Sequence, residues 1–560
     1  MAIRTVLSIP LLLLLVISSF AQTEADYIKY GNDALAAKNY DQAITYYNSA
    51  IRINSRSSVG YFNRGLAYDY KDNYDQAIAD YSSAIIYDQT HARSWANRCR
   101  LHNRKRNYDL AIPDCTRAIQ LDPNNDQAYT SRGVAYAFKG NDDSSIADST
   151  RAIQLNPNNA VAYGNRGDSY LFKQNFDQAI ADCSKSIQLD AKDGRAYDCR
   201  AIAYLRKKNI EGALADANQS ILLDPSFSRA FLTRCEIHYM KRDLEKAIAD
   251  ATKTIQLDPS LVNAWYWRGM SYRLTGKYSE SVTDMTKVLE LSPTYVNGFY
   301  QRGLAHMGLR KYPEAIADIA KLLDKEPNND LARKDRATAL RLNREPLRAL
   351  EEITTVLMRD PKFTDAVWEK YRINVDLKEY HVALEDLNRI AELTPKSTTH
   401  HYSKSWVYLY MNKGNEAYTE AMTYLELNGL KNASAPYNVM TGYLGLRKAG
   451  KTAAAKAFLT EWLPQLDEKA WTTNVLKYFA GKITSAQLLG LAADNDDLTE
   501  AHAYIGIVQM MAGTPAPAKV HYDWVIANGN KNFFEYDMVI AELDRKPTPT
   551  TKKPLPKKRP

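Results

Sequence analysis

The chain is 560 residues long, 45% hydrophobic and 25% charged, proportions that exclude a mainly disordered polypeptide or one crossing a membrane many times. Its formal net charge of +8 is concentrated at the ends: Arg4 lies near the start, and Lys546, Lys552, Lys553, Lys557, Lys558 and Arg559 form an acid-free, proline-containing tail. The body between them is left at about +1, without the basic excess of a nucleic-acid-binding domain, so no nucleic-acid partner is expected. In chain order, the first element is a targeting segment: Arg4, an apolar run from Leu11 to Ile17, then Ser19-Phe20-Ala21, the pattern of a signal peptide over residues 1–21 cleaved before Gln22. That run is shorter than the roughly 20 residues a bilayer requires and is interrupted by Pro10. No cysteine follows it to accept lipid and no later segment reaches spanning length, so an exported chain without an integral membrane segment, periplasmic or secreted, is expected.

A repeat follows. The run Ile-Gln-Leu-Asp-Pro and its variants begin at Ile119, Ile153, Ile187, Ile221 and Ile255, 34 residues apart each time. Weaker copies extend the register back to Ile85 and Ile51 and forward through Pro293, Pro327, Pro361 and Pro395, giving eleven units from about Glu24 to Lys396 and a degenerate twelfth. Each unit reads as two helices. Small and aromatic residues recur at three-to-four-residue spacing, as in Tyr61, Gly65 and Tyr68 and then Ala77, Tyr81 and Ala84, and the closing Asp-Pro stops the second helix. One such pair cannot bury its apolar face alone, so the units must stack.

Numbered from one within each unit, these residues carry a resemblance. The fourth unit has Tyr129, Gly133, Tyr136, Ala152 and Pro157 at positions four, eight, eleven, twenty-seven and thirty-two. The eighth has Trp265, Gly269, Tyr272 and Pro293, with Ser281 and Val288 as departures. The unit resembles the tetratricopeptide repeat. The resemblance implies an all-α, right-handed superhelical solenoid over residues 22–428; beyond it come a degenerate helical cap over 429–545 and a disordered basic tail over 546–560. Segments 478–484, 500–506 and 532–536 are similar to the closing region of bacterial periplasmic tetratricopeptide proteins.

Position seven is arginine and position twenty-three acidic in nine successive units: Arg64 with Asp80, Arg98 with Asp114, Arg132 with Asp148, Arg166 with Asp182, Arg200 with Asp216, Arg234 with Asp250, Arg268 with Asp284, Arg302 with Asp318, and Arg336 with Glu352. The two positions change together, to Lys370 with Asp386 and Lys404 with Glu420, and both are lost at Tyr30 and Tyr46. A structural ion pair is expected, within a unit or between neighbours.

The resemblance implies that the first helices line a groove through positions two, five, nine, twelve and thirteen. These are Arg93, Arg100, Asn103 and Arg104 in the third unit and Tyr239, Tyr266, Met270, Tyr300 and Met307 in the seventh to ninth. Asn63, Asn97 and Asn165, at position six, are placed to grip a peptide backbone as in the family. A basic stretch followed by an aromatic and methionine-rich one suits an extended or helical peptide. No unit combines lysine at five with asparagine at nine, the family's clamp for a chaperone carboxylate.

Cys99 and Cys115, and Cys183 and Cys199, are separated by the same sixteen residues and are candidates for disulfides in an oxidising setting; Cys235 has no such partner. No histidine has metal-ligand spacing to a cysteine or acid, and no phosphate loop or nucleophile elbow is present. The expectation is therefore a non-catalytic scaffold in the cell envelope, with no cofactor or metal, binding a protein or peptide. The alternative is a protein that binds a glycan or cell-wall fragment through groove tyrosines. The tail is assigned at most a weak contact with an anionic surface.

Overall fold

The computed structural model describes residues 22–531 and 533–544. The signal segment read at 1–21 and the tail read at 546–560 lie outside the described residues. Within those residues lie thirty-one α-helices, one short 3-10 turn and no strand. From Glu24 to Asn428 the helices alternate in pairs, such as Ser58–Tyr70 of 13 residues and Tyr74–Tyr87 of 14.

The turn inside each pair has a fixed geometry. The residue at position fifteen takes a left-handed backbone, with φ of 56° at Asp72, 61° at Arg106 and 63° at Lys208; Gly140 and Gly276 fill the equivalent place in two repeats. A side chain there costs about 1–2 kcal/mol relative to glycine. The turn is held by a reciprocal pair of bonds, Asp72 N to Asp69 O and Asn73 N to Tyr68 O. Asn73 then caps the second helix through its side chain, as Asn39, Asn141 and Asn209 do in their repeats.

Packing within a pair rests on complementary size at positions eight and twenty-four. A Cβ at Gly65 would stand 2.9 Å from the ring of Tyr81, so glycine is what admits the fully buried tyrosine. Where position eight is larger the partner is smaller, as with Ala201 and Ala217 or Cys235 and Ala251. In the third repeat the two positions are joined covalently by the Cys99–Cys115 disulfide, with Cα atoms 5.4 Å apart. Cys183–Cys199 links the second helix of one repeat to the first helix of the next, and Cys235 is a buried thiol.

The chain forms two compact units, divided after Ser271. In the first, burial is parcelled into repeat-sized clusters such as Phe62, Ala77, Tyr81, Ala84 and Leu101. In the second, one large cluster runs from Val367 to Ala541 and includes Trp406, Tyr443, Leu476 and Tyr504. Past Gly429 the helix pairs Ala435–Lys448 with Thr452–Trp462 and Asn495–Met511 with Pro515–Asn528 continue the two-helix habit; the short helices Trp471–Phe479 and Ser485–Leu491 lie between them in sequence. A close approach of backbones marks the entry to this region, where a Cβ at Gly414 would meet the Gly445 carbonyl oxygen at 2.4 Å. The last helix is Phe534–Leu543. No helix among the described residues is long and apolar enough to cross a membrane.

Candidate binding groove

The arginines at position seven are structural hubs. Arg64 donates Nε to Asp80 Oδ2 at 2.7 Å and Nη2 to Oδ1 at 2.6 Å, a bidentate pair inside one repeat. The same double bond joins Arg98 to Asp114, Arg132 to Asp148, Arg166 to Asp182, Arg200 to Asp216, Arg234 to Asp250 and Arg302 to Asp318. Arg336 pairs with Glu352, whose longer side chain also reaches Arg333 at 2.8 Å. Nη1 reaches back to the preceding repeat, to Asn48 from Arg64, Ser82 from Arg98, Thr116 from Arg132, Ser184 from Arg200 and Thr252 from Arg268. From Arg64 to Arg302 each guanidinium also lies over the aromatic at position four, as Arg98 does over Trp95 at 5.0 Å and Arg268 over Trp265 at 4.9 Å. Asp284, at the acidic position of the eighth repeat, is buried. The polar residues at position twenty-five are absent from the sequence-derived set, although their recurrence at the 34-residue spacing is visible in the sequence.

At the ends of the series the pairing changes. Lys370 meets Asp386 at 2.8 Å, Glu420 faces His401 Nδ1 at 2.5 Å rather than Lys404, and the rings of Tyr30 and Tyr46 pack at 5.7 Å in the first repeat.

In the first unit, the face made by the first helices holds two adjoining cavities of about 510 and 920 Å³, which share Arg100, Arg104 and Gln127. Arg93 and Asn97 line the smaller one; Asn103, Arg106 and Arg195 line the larger. Arg100 is tied to Asp69, and Arg104 lies over the Tyr74 ring at 5.2 Å with Asp72 at 3.9 Å. Arg93 rests at 5.7 Å over Phe62. Among the described residues Arg93, Arg106 and Arg195 enter no ion pair. Asp126 in the same lining accepts the amides of Asn156 and Asn159 at 3.0 and 2.9 Å.

The asparagines differ in state. Asn63 donates to Asn32 Oδ1 at 3.1 Å and Asn97 to the Tyr81 hydroxyl at 3.4 Å. Asn165 Nδ2 is buried without a hydrogen-bond partner. Asn103 donates Nδ2 to the Ser131 carbonyl at 2.6 Å, which fixes the orientation of its amide and leaves Oδ1 buried and unpartnered. Further along the first unit, Tyr239 and Tyr266 both pack on Trp267, at 5.0 and 5.7 Å between ring centroids, and Met270 is half-buried in the same helix. Tyr300 lies in the second unit, where its hydroxyl donates to Asp335 at 2.6 Å and its ring packs beside Ile319 and Leu322.

In the second unit the last helix covers this face at the twelfth repeat, and a cavity of about 560 Å³ lined by Lys334, Trp368, Arg372 and Phe534 stays open beside it. Tyr402, Trp406 and Tyr410 stand at positions five, nine and thirteen of the twelfth repeat. The Phe534 ring stacks on Trp406 at 5.4 Å and meets Tyr402 edge-on at 5.7 Å, while the Tyr410 hydroxyl donates to the Phe534 carbonyl at 3.1 Å. Ion pairs of Glu542 with Lys448 and of Asp544 with Lys378 hold the end of the last helix. Acids gather around it. Tyr504 donates to Glu535 at 2.5 Å, and Tyr437 and Trp471 each donate to Glu500 at 3.0 Å. Burial, reinforced by Glu535, pushes the Glu500 carboxyl up to about 9; burial, reinforced by Asp376, pushes Asp537 up to about 8. Sequence reasoning missed this docking, although Phe533-Phe534 in a charged terminus is a visible apolar anchor.

Comparison with known proteins agrees with this architecture. Tetratricopeptide-repeat profiles match residues 60–91, 92–125, 126–159, 160–193, 262–295 and 300–362. A lipoprotein NlpI homolog of Haemophilus influenzae is 26% identical over 201 residues, which are 34% of this chain and 62% of that relative's length. Among solved structures, a chain of the APC/C hetero-tetramer Cut9-Hcn1 is 14% identical, with a TM-score of 0.42, over 74% of this chain and 95% of that one. PilF of Pseudomonas aeruginosa is 17% identical, with a TM-score of 0.35, over 38% and 97%. By its 34-residue period, its paired helices and the repeat profiles that match it, the chain is a tetratricopeptide-repeat protein.

Proposed function

We propose that this protein is an exported, non-catalytic interaction scaffold of the cell envelope that holds a segment of another protein in the groove of its first unit. Tetratricopeptide repeats generally mediate protein–protein interaction and generally carry no catalysis. The observation that carries the choice of site is a difference in charge: the first unit's face presents arginines without ion pairs among the described residues, whereas in the second unit the helix Phe534–Leu543 covers part of the face and the cavity beside it has Lys334 and Arg372 paired with Asp335 and Glu369. Export is supported by the apolar run before Gln22, by two disulfides, which persist in oxidising compartments, and by the likeness to a lipoprotein. Residues 429–545 act as the cap that closes the repeat array, and 546–560 as its soluble extension.

A photo-crosslinking residue at Gln127, which lines both cavities, tests this reading against the same residue at exposed Lys208. With an envelope extract, protease-sensitive adducts are expected from position 127 and not from 208. Equal labelling at both sites refutes use of the groove. Adducts that resist protease and yield to glycan-degrading enzymes favour the second reading, a glycan held against the Tyr239, Tyr266 and Trp267 rings.

A further inference from the structure

The lining of the first unit's groove specifies more than a peptide. Arginine offers a planar fork suited to carboxylate, and Arg93, Arg106 and Arg195 reach the groove without a carboxylate of their own chain among the described residues. The groove is not uniformly basic. Asp69, paired with Arg100, and Asp126, which keeps its charge while accepting from the amides of Asn156 and Asn159, sit in the same lining, and a continuous polyanion would run against them. Spaced negative charges fit this pattern. Asn103 adds a second requirement: its Oδ1 is an acceptor with no donor and is closed off from solvent, so a bound segment reaches it once the side chain turns toward the groove. Arginine does not complement a backbone N–H; a buried amide oxygen does.

We propose that the groove selects an extended, acidic polypeptide segment, whose carboxylates meet Arg93, Arg106 and Arg195 and whose main chain donates an N–H to Asn103 Oδ1. The proposal rests on the scaffold reading above and names the class of segment held. First helices of neighbouring repeats pack about 10 Å apart, so the lining from Phe62 to Arg195 matches roughly ten residues of extended chain. Its specificity divides accordingly: the arginines choose acidic side chains, and Asn103 fixes the register of the backbone.

The test uses the oxidised chain of residues 22–560 and a displayed library of random twelve-residue peptides. Enriched peptides are synthesised and titrated by fluorescence anisotropy against the wild type, the double variant Arg93→Glu/Arg195→Glu, and Asn103→Ala, each checked for helicity. The two arginines are exposed and without ion pairs, and because Arg93 also rests over the Phe62 ring the thermal melt of the double variant is compared with that of the wild type. The expected result is enrichment of Asp and Glu above the library mean. Binding should be about tenfold weaker to the double variant, weaker still for peptides with Glu replaced by Gln, and reduced by added salt. Enriched peptides without acidic excess that still depend on Asn103 overturn the acidic class and leave the scaffold reading standing. Enrichment indifferent to all three residues overturns both. Failure to enrich any peptide also overturns the proposal, and saturable binding of a uronic-acid oligosaccharide in that case assigns the groove to a glycan.

Discussion

Replacing Arg200 by alanine tests the energetics of the repeat ladder. The guanidinium makes two bonds to Asp216, at 2.7 and 2.9 Å, and a third to Ser184 of the preceding repeat at 3.1 Å. It also lies between Tyr197 and Tyr204, 5.7 and 5.8 Å from their rings. Its side chain is 20% exposed and that of Asp216 only 10%, so the truncation leaves a carboxylate that water reaches poorly. Breaking a buried pair from one side costs roughly 3–5 kcal/mol; partial exposure of the arginine places the expected loss near the lower end, at about 3 kcal/mol. Lys207→Ala removes a pair with Asp177 whose partners are 44% and 79% exposed, and should cost at most about 1 kcal/mol. Urea unfolding followed by far-UV circular dichroism compares the two variants, and hydrogen exchange locates the loss in the fifth and sixth repeats. The double variant Arg200→Met/Asp216→Leu should recover most of the loss, because it removes both charges from the site. Equal, small shifts for Arg200→Ala and Lys207→Ala would refute the ladder as a source of stability.

Four further outcomes are expected. Lys208→Gly should stabilise the protein by up to about 1 kcal/mol in thermal melts, because φ is 63° there, whereas Lys208→Ala should not. Under non-reducing conditions a thiol reagent should find no cysteine in the folded protein and one, Cys235, after unfolding; reducing Cys99–Cys115, which closes a sequence separation of 16, should cost about 3 kcal/mol. Phe534→Ala should raise hydrogen exchange across Tyr402–Tyr410 with little change in the first unit, and unchanged exchange there would contradict the docking of the last helix. The second unit should lose stability with rising pH. A carboxyl whose folded-state pKa lies above its unfolded value holds an extra proton in the folded state, so stability present at low pH is lost as pH climbs from 4.5 toward about 9 for Glu500, and from 3.8 toward about 8 for Asp537. Glu500→Gln should flatten that slope in urea melts at stepped pH.

The repeat itself was legible because its signal is redundant. Spacing of 34, small residues at eight and twenty and proline at thirty-two all state one geometry, and each repeat needs only its neighbours. The arginine–acid alternation was equally legible, since two positions that change together within one chain point to contact, and the pairs lie within single repeats. The groove was legible in part. Arg93, Asn97, Arg100 and Arg104 line adjoining cavities, but nothing in their spacing told that Arg100 has Asp69, that Arg195 joins them, or that Asn103 Oδ1 is left without a donor.

By itself the sequence determined the fold class, the repeat register and the ladder, because these follow from contacts between residues no more than about one repeat apart. Tertiary structure alone decided where the last helix docks. The contacts that dock it join Phe534 to Trp406, Arg344 to the Lys531 carbonyl and Lys378 to Asp544, residues far apart in the chain. No periodicity encodes such pairings. They arise where the regular repeats give way and the apolar surface of the twelfth is covered by a later helix of the same chain.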